Sequence, residues 1–382
     1  MASLRKVFAV SIVVAIPLMM SGCSSSGVSA EKGHWSASTE SSYAPIPKIH
    51  LDTTAKSLNN VMPLDTISIS STVSAPNVTI TNTATGKTIK GNIDDKTWRN
   101  AEHFTYDTHY HVEAESEGVA KEWEFYVPKP ITAEPVISPM EGTTVGVGST
   151  VAVRFDVPIP DRKKAEESIV VKTTPQVEGK FHWVNDSEVR WRPQHFWREG
   201  TQVSVDMQGY GKNYGGDIYG GENTHTSFTI GTPIITTIDN NTKKAVVKKN
   251  RKVIKTFPVS LGSDANPTNP GIYILGDHNE SMVMDSSTYG VVVDSADGYR
   301  LNVDYATQMS YSGIYLHSAP WAVGAIGAYN QSHGCVNARP EDAKWFLENT
   351  KRGDVVIVKN VDAPTLPVDD GLGDWNTPWS EW

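Results

Sequence analysis

Short runs of period-two alternation fill the chain between residues 46 and 230, and they leave it little choice but antiparallel β structure. The clearest is Phe104-Thr105-Tyr106-Asp107-Thr108-His109-Tyr110-His111-Val112, whose even positions are mostly apolar or aromatic and whose odd positions are polar. That is the pattern of a strand with one dry and one wet face. Ile67, Ile69 and Ser71 alternate in the same way, and Val78 and Ile80 begin another strand. After a junction at Lys129-Pro130-Ile131-Thr132, further sets follow at Val151/Val153/Phe155, Phe181/Trp183, Val189/Trp191, Val203/Val205 and Phe228/Ile230. Strands at this spacing predict two immunoglobulin-like β-sandwich domains in series, over 46–130 and 131–232, without the Cys…Trp…Cys core of antibody domains. His109 and His111 share a wet face; a metal site there is conceivable, and a solvated strand face is the simpler reading. The Gly-, Tyr- and Asn-rich stretch from Gly209 to Asn223 reads as a long loop without an assigned purpose.

From Pro233 the pattern changes to a mixed, β-rich module with one helix, predicted over 233–360. Ile234 to Ile238, Ala245 to Lys248, Val253 to Val259, Ile272 to Leu275, Gly290 to Asp294, Gly313 to His317 and Val355 to Lys359 read as strands. Pro340 suits a first helical position, Glu341 and Asp342 complement the N-terminal dipole, and Ala343, Phe346 and Leu347 form an apolar stripe. Arg339 takes the cap position, where Ser or Asp would serve better. The tail, 361–382, carries Trp375, Trp379 and Trp382, three of the chain's eleven tryptophans, and is expected to pack as a strap on the third module, with membrane-interface anchoring as the weaker alternative.

At 382 residues the chain suits two or three domains. Its net charge of −9 argues against a nucleic-acid partner. Arg5 and Lys6 precede an apolar run from Val7 to Met20 that is short for a membrane span and suits an export signal over 1–22. Met20-Ser21-Gly22-Cys23 resembles a bacterial lipobox, which implies cleavage before Cys23 and its lipidation; an ordinary cleaved signal is the alternative. Residues 23–45, rich in Ser and Thr, read as a flexible tether with a reach on the order of 25 Å. Both cysteines are then accounted for, Cys23 at the anchor and Cys335 as a lone thiol in an oxidising compartment.

Cys335 lies in Ser332-His333-Gly334-Cys335-Val336-Asn337, with His317-Ser318 upstream on a strand. A cysteine thiol at an ordinary pKa of about 8.5 is mostly protonated at neutral pH, so a nucleophilic role requires a base within reach. His317 and His333 are the local candidates, and His317 is favoured because the 318–332 loop can return to set Cys335 opposite it. Backbone N–H groups around Gly334 and Cys335 could bind an oxyanion. Two other readings stand beside this one: His317, His333 and Cys335 as zinc ligands, and a buried inert cysteine.

His317-Ser318, a loop, and then the six-residue run ending in Asn337 resemble the signature of L,D-transpeptidases with a YkuD-type catalytic domain. Thr268-Asn269-Pro270-Gly271-Ile272-Tyr273 is similar to that family's earlier Pro-Gly element, and the whole layout resembles its actinobacterial lipoprotein branch. The resemblance implies Cys335 as nucleophile, His317 as base and Ser318 as its orienting partner. It implies that His333 and Gly334 shape the oxyanion side, and that Ser332 and Asn337 belong to the substrate-binding turn. Tyr299, Tyr311, Met284 and Trp321 resemble the positions lining the cavity and its lid; for Met284, ordinary core packing competes. The implied reaction, part of peptidoglycan biosynthesis and the upkeep of cell shape, is acyl transfer through a thioester. A tetrapeptide stem is the donor, D-Ala leaves, and the amine of a diaminopimelate acceptor forms a 3→3 crosslink. Carbapenems are implied as covalent inhibitors, and no metal or organic cofactor is called for. The implied location is the outer face of the cytoplasmic membrane, reached by the lipid anchor. An L,D-carboxypeptidase, a protein-anchoring transferase and a cell-wall binding module are the rivals.

Overall fold

The computed structural model describes residues 44–289, 292–295, 298 and 300–382. The export signal, Cys23 and nearly all of the tether lie outside them. The chain is mainly β, and no helix among the described residues is long and apolar enough to cross a membrane.

Residues 49–127 form two four-stranded antiparallel sheets. One runs Ile49–Thr53, Ile67–Ser71, Thr97–Asn100, Gly91–Asp94; the other runs Thr88–Ile89, Asn77–Asn82, Thr108–Ser116, Val119–Val127. Ile67, Ile69, Ile80, Tyr110, Val112 and Phe125 meet in a shared core. The expected strand at 104–112 starts late. Asp107 takes a positive φ of 52°, which ends the alternation, and the strand begins at Thr108. Tyr106 is thereby turned away. Its N–H donates to the hydroxyl of Tyr210 (3.2 Å) and its own hydroxyl donates to the carbonyl of Gly220 (3.2 Å). Tyr210 in turn donates to the Phe104 carbonyl. The loop from Gly209 to Asn223 thus joins the first β module to the second.

Residues 131–230 form two more four-stranded sheets. Pro135–Ser138, Val151–Phe155, Glu188–Pro193 and Gly179–Trp183 face Thr144–Val145, Thr224–Ile230, Gln202–Met207 and Ile169–Thr174. Their core runs on into the third module, taking in Val355 and packing against Ile235, Ile272 and Ile357. Gly146 makes this close approach feasible: a Cβ there would fall 2.1 Å from the Asp354 nitrogen. Its N–H donates to Arg352 O at 2.9 Å, and Gly148 N–H donates to Gly353 O at 2.8 Å.

The third module holds a five-stranded sheet in the order Lys252–Pro258, Lys244–Lys249, Ile234–Asp239, Val355–Lys359, Gly271–Ile274. A four-stranded sheet follows in the order His278–Asp285, Arg300–Gln308, Tyr315–Ser318, Val336–Ala338. The turn at Asn250 and Arg251 has both residues at positive φ, as a tight hairpin with right-handed strand twist requires. The helix spans Pro340–Asn349, with Arg339 at a cap position where no side chain caps it. Ala343 and Phe346 sit in the core with Leu316, Val336 and Val356. One strand expectation changes, and one strand was not expected. Val292 to Ser295 form a turn closed by Ser295 N–H to Val292 O, not a strand. Arg300–Gln308, which sequence patterning did not single out, is a nine-residue strand next to the site.

The tryptophan tail packs on more than the third module. Asn376 exchanges hydrogen bonds with both backbone groups of Ile272, while Trp375 donates to Gly148 O at 2.7 Å and Trp382 to Lys180 O at 3.0 Å. The Arg192 guanidinium lies over the rings of Trp382 (4.1 Å), Trp375 (4.6 Å) and Trp379 (5.6 Å), favourable cation–π contacts at a partly dry site. Beneath them Asp374, fully buried, pairs with Arg190 at 2.9 Å and accepts from Thr150 at 2.6 Å. The strap is a clamp between second and third modules.

Candidate active site

The strand Tyr315–Ser318 pairs in parallel with Val336–Ala338, in the register Leu316 to Val336, His317 to Asn337 and Ser318 to Ala338. Cys335 immediately precedes the second of these strands, so the register extended by one places it beside Tyr315. Side chains alternate faces along a strand, so Cys335, Asn337 and His317 share a face. All three line one pocket of about 230 Å³, with Met284, Leu301, Trp321, Gln331, Ser332 and His333.

His317 is 4% exposed, and its Nδ1 lies 2.9 Å from the carbonyl of Ser318. A carbonyl only accepts, so Nδ1 carries the proton and the Nε2 lone pair is left for other work. Burial holds the imidazole below its ordinary pKa, with the Ser318 carbonyl opposing, so it is neutral at neutral pH. The Cys335 thiol is pushed up to about 11 by burial, against a smaller opposing effect from the backbone N–H of Tyr315. It donates weakly to Gly313 O at 3.5 Å. The resting pair is therefore a thiol and a neutral imidazole, not a thiolate–imidazolium pair.

The turn carrying Cys335 is held by Ser332, whose Oγ donates to Cys335 O at 2.5 Å and accepts from Gly334 N–H at 3.2 Å. Gly334 has φ +114°, which L side chains rarely adopt. Of the two amides expected to face an oxyanion, that of Gly334 is thus engaged by Ser332. The Asn337 backbone exchanges hydrogen bonds with Ser260 at 2.8 and 3.0 Å, which anchors the start of this strand to the neighbouring segment.

The remaining expected residues divide. Met284 is buried in a small cluster with Val303, Ala306, Tyr315 and Cys335, so it is at once core and pocket wall. Trp321 is 55% exposed on the rim, its ring tilted 31° to that of His317 at 6.0 Å. His333 is exposed and lines the pocket. Tyr311 does not line it. Its N–H and that of Ser312 are held by the carboxylate of Asp370 in the strap, and its ring borders a separate groove with Arg352 and Gly371. The strap, which patterning placed only loosely, holds that turn through Asp370. Tyr299 and Cys23 lie outside the described residues. Leu301 and Gln331 were not anticipated, because the strand and loop that present them carry no distinctive motif. Among the described residues, the grouping of three donors close enough for one ion is His111, Glu113 and Glu122 on the first module's wet face, rather than His317, His333 and Cys335.

Comparison with known proteins bears on what this pocket does. The bacterial Ig domain family profile matches residues 58–213, and the L,D-transpeptidase catalytic domain (YkuD) profile matches residues 233–358. L,D-transpeptidase 2 of Mycobacterium tuberculosis is 47% identical over 304 residues, covering 78% of this chain and 74% of that protein. The solved structure of the L,D-transpeptidase LdtMt1 in complex with imipenem is 35% identical with a TM-score of 0.53, covering 61% of this chain and all of that one. The structure of L,D-transpeptidase 3 from Mycobacterium tuberculosis in complex with a faropenem-derived adduct is 33% identical with a TM-score of 0.50, covering 59% and 97%.

Proposed function

Because the chain belongs to the YkuD-type L,D-transpeptidases, we propose that it forms 3→3 peptidoglycan crosslinks through a thioester on Cys335. The observation that carries this is the shared pocket face of Cys335 and a neutral His317 whose Nδ1 proton is already committed to Ser318 O. In the first step the thiol adds to the carbonyl of diaminopimelate that precedes D-Ala, and its proton passes to His317 Nε2. The tetrahedral oxyanion collapses, the C–N bond breaks, and D-Ala leaves as an amine that takes the proton from the imidazolium. In the second step the side-chain amine of a second stem adds to the thioester and gives a proton to His317. The C–S bond breaks and the Cys335 sulfur recovers its proton. General-base assistance matters here because the buried thiol does not ionise by itself near neutral pH.

The pocket takes the part of the donor stem that reacts, and the exposed ring of Trp321 at its edge offers a surface for the rest. We place the protein as an exported lipoprotein on the outer face of the cytoplasmic membrane, where the immunoglobulin-like modules space the catalytic pocket into the wall. The imipenem complex of the relative supports acylation of Cys335 by carbapenems. The test is incubation of the purified protein with a diaminopimelate-containing tetrapeptide and mass spectrometry of the products. A dimer formed with loss of D-Ala, and abolished in Cys335→Ala, is the expected result. Loss of D-Ala without a dimer favours a carboxypeptidase; turnover unchanged in Cys335→Ala overturns the assignment.

A further inference from the structure

Three backbone segments converge behind the nucleophile turn. A Cβ on Gly262 would sit 2.1 Å from Asn266 O, 2.7 Å from Thr268 N and 2.9 Å from Gly334 Cα, so the seam closes only on glycine. Thr268, with no exposed surface, places its hydroxyl in this seam. The hydroxyl accepts from Gly262 N–H at 2.9 Å and donates to Gly334 O at 2.7 Å. Gly334 O and the Cys335 N–H belong to one planar trans peptide and point in opposite directions. Whatever holds the carbonyl therefore aims the amide.

We propose that Thr268 is a positioning residue for acyl transfer: its hydroxyl fixes the Gly334–Cys335 peptide so that the Cys335 N–H is directed at the developing oxyanion. Two further observations lead there. The other nearby amide, Gly334 N–H, is spent on Ser332 Oγ, which leaves the Cys335 amide to do the stabilising. Gly334 also sits at φ +114°, a region where glycine has wide freedom, so the orientation of the following peptide needs an outside restraint. Ser332 restrains the far side of Cys335 by donating to its carbonyl. Thr268 restrains the near side from 66 residues away in sequence. The inference rests on Cys335 being the nucleophile.

The test uses the full chain with Thr268→Val, which keeps the shape and removes the hydroxyl, and Thr268→Ser, which keeps the hydroxyl. Three quantities are read: the saturating rate of acylation by imipenem, the rate of Cys335 alkylation by iodoacetamide, and the infrared carbonyl stretch of the acyl-enzyme. Alkylation develops no oxyanion, so it reports the thiol and the fold alone. The expected result for Val is acylation about 10–100-fold slower at saturation, on the scale of a misaimed oxyanion donor, with alkylation nearly unchanged. The Val acyl-enzyme carbonyl stretch moves to higher frequency as polarisation is lost, and Ser restores both the acylation rate and the frequency. Equal losses in acylation and alkylation, or no loss in either, overturn the proposal. If Val does not accumulate in folded form, Thr268→Ala replaces it; the carbonyl frequency is read only from molecules that acylate, and an unshifted frequency overturns the proposal. A wild-type protein that imipenem leaves unmodified at Cys335 overturns the nucleophile assignment itself, and this role with it.

Discussion

Replacing His317 by Gln isolates how the thiol is activated. A Cys335 pKa of about 11 leaves roughly one thiol in 10⁴ ionised at pH 7, equivalent to about 5 kcal/mol for forming the thiolate before attack. Burial is the main cause of that value, and it persists in the variant, because Gln fills the space without adding charge. On the proposed mechanism the Nε2 lone pair accepts the proton during attack, so the thiolate need never form in advance. The expected profile for carbapenem acylation is flat through neutral and mildly alkaline pH. It falls on the acid side only below the ordinary histidine value of 6.5, since burial lowers the His317 pKa. In His317→Gln the rate at pH 7 drops by about 10²–10⁴-fold, and what remains climbs about tenfold per pH unit toward pH 11. Stopped-flow loss of carbapenem absorbance gives the rates, and thiolate ultraviolet absorbance gives the Cys335 titration. A wild-type thiol titrating at or below about pH 8, or a variant whose rate does not depend on pH, would refute the reasoning.

Asp374→Ala strips the strap of its buried carboxylate and leaves Arg190, only 5% exposed at its side chain, with Glu188 as its one remaining carboxylate partner beside the Gly371 carbonyl. The loss expected is about 3–5 kcal/mol, and urea unfolding that shows less than about 1 kcal/mol would contradict it. Asp354 has no exposed surface and its Oδ1 makes no hydrogen bond; burial raises its pKa to about 7 from 3.8, against the pull of Lys351. A carboxyl whose folded pKa is raised contributes its stability below pH 3.8 and loses it as pH climbs to 7. Asp354→Asn should therefore gain about 3 kcal/mol relative to wild type between pH 4.5 and 7.5, checked by urea midpoints at both values.

The strand alternation and the His317 to Asn337 spacing are local properties, readable because side chains on a strand alternate faces whatever the rest of the chain does. They were sufficient for the β-sandwich class and for placing a lone thiol and an upstream imidazole on one pocket, while Pro340, the acidic first turn and the apolar stripe after it marked the helix at 340–349. What patterning misread was set by long-range contacts. Tyr106 keeps the alternation of its neighbours, yet it is drawn out of the strand by Tyr210, 104 residues away. Tyr311 resembles a pocket residue, but Asp370 in the strap holds its turn elsewhere. Leu301 reaches the pocket through strand order, and Gln331 through a loop tied to the Leu261 carbonyl.

The division has a simple physical basis. Residue types and their spacing determined which groups can do chemistry here, because nucleophilicity and basicity belong to the side chains themselves. Only the packed structure decided their state: desolvation keeps Cys335 a thiol and His317 neutral, and one carbonyl chooses the imidazole tautomer. Only the packed structure could bring the Thr268 hydroxyl to Gly334, since the contact closes a 66-residue loop that no local pattern encodes.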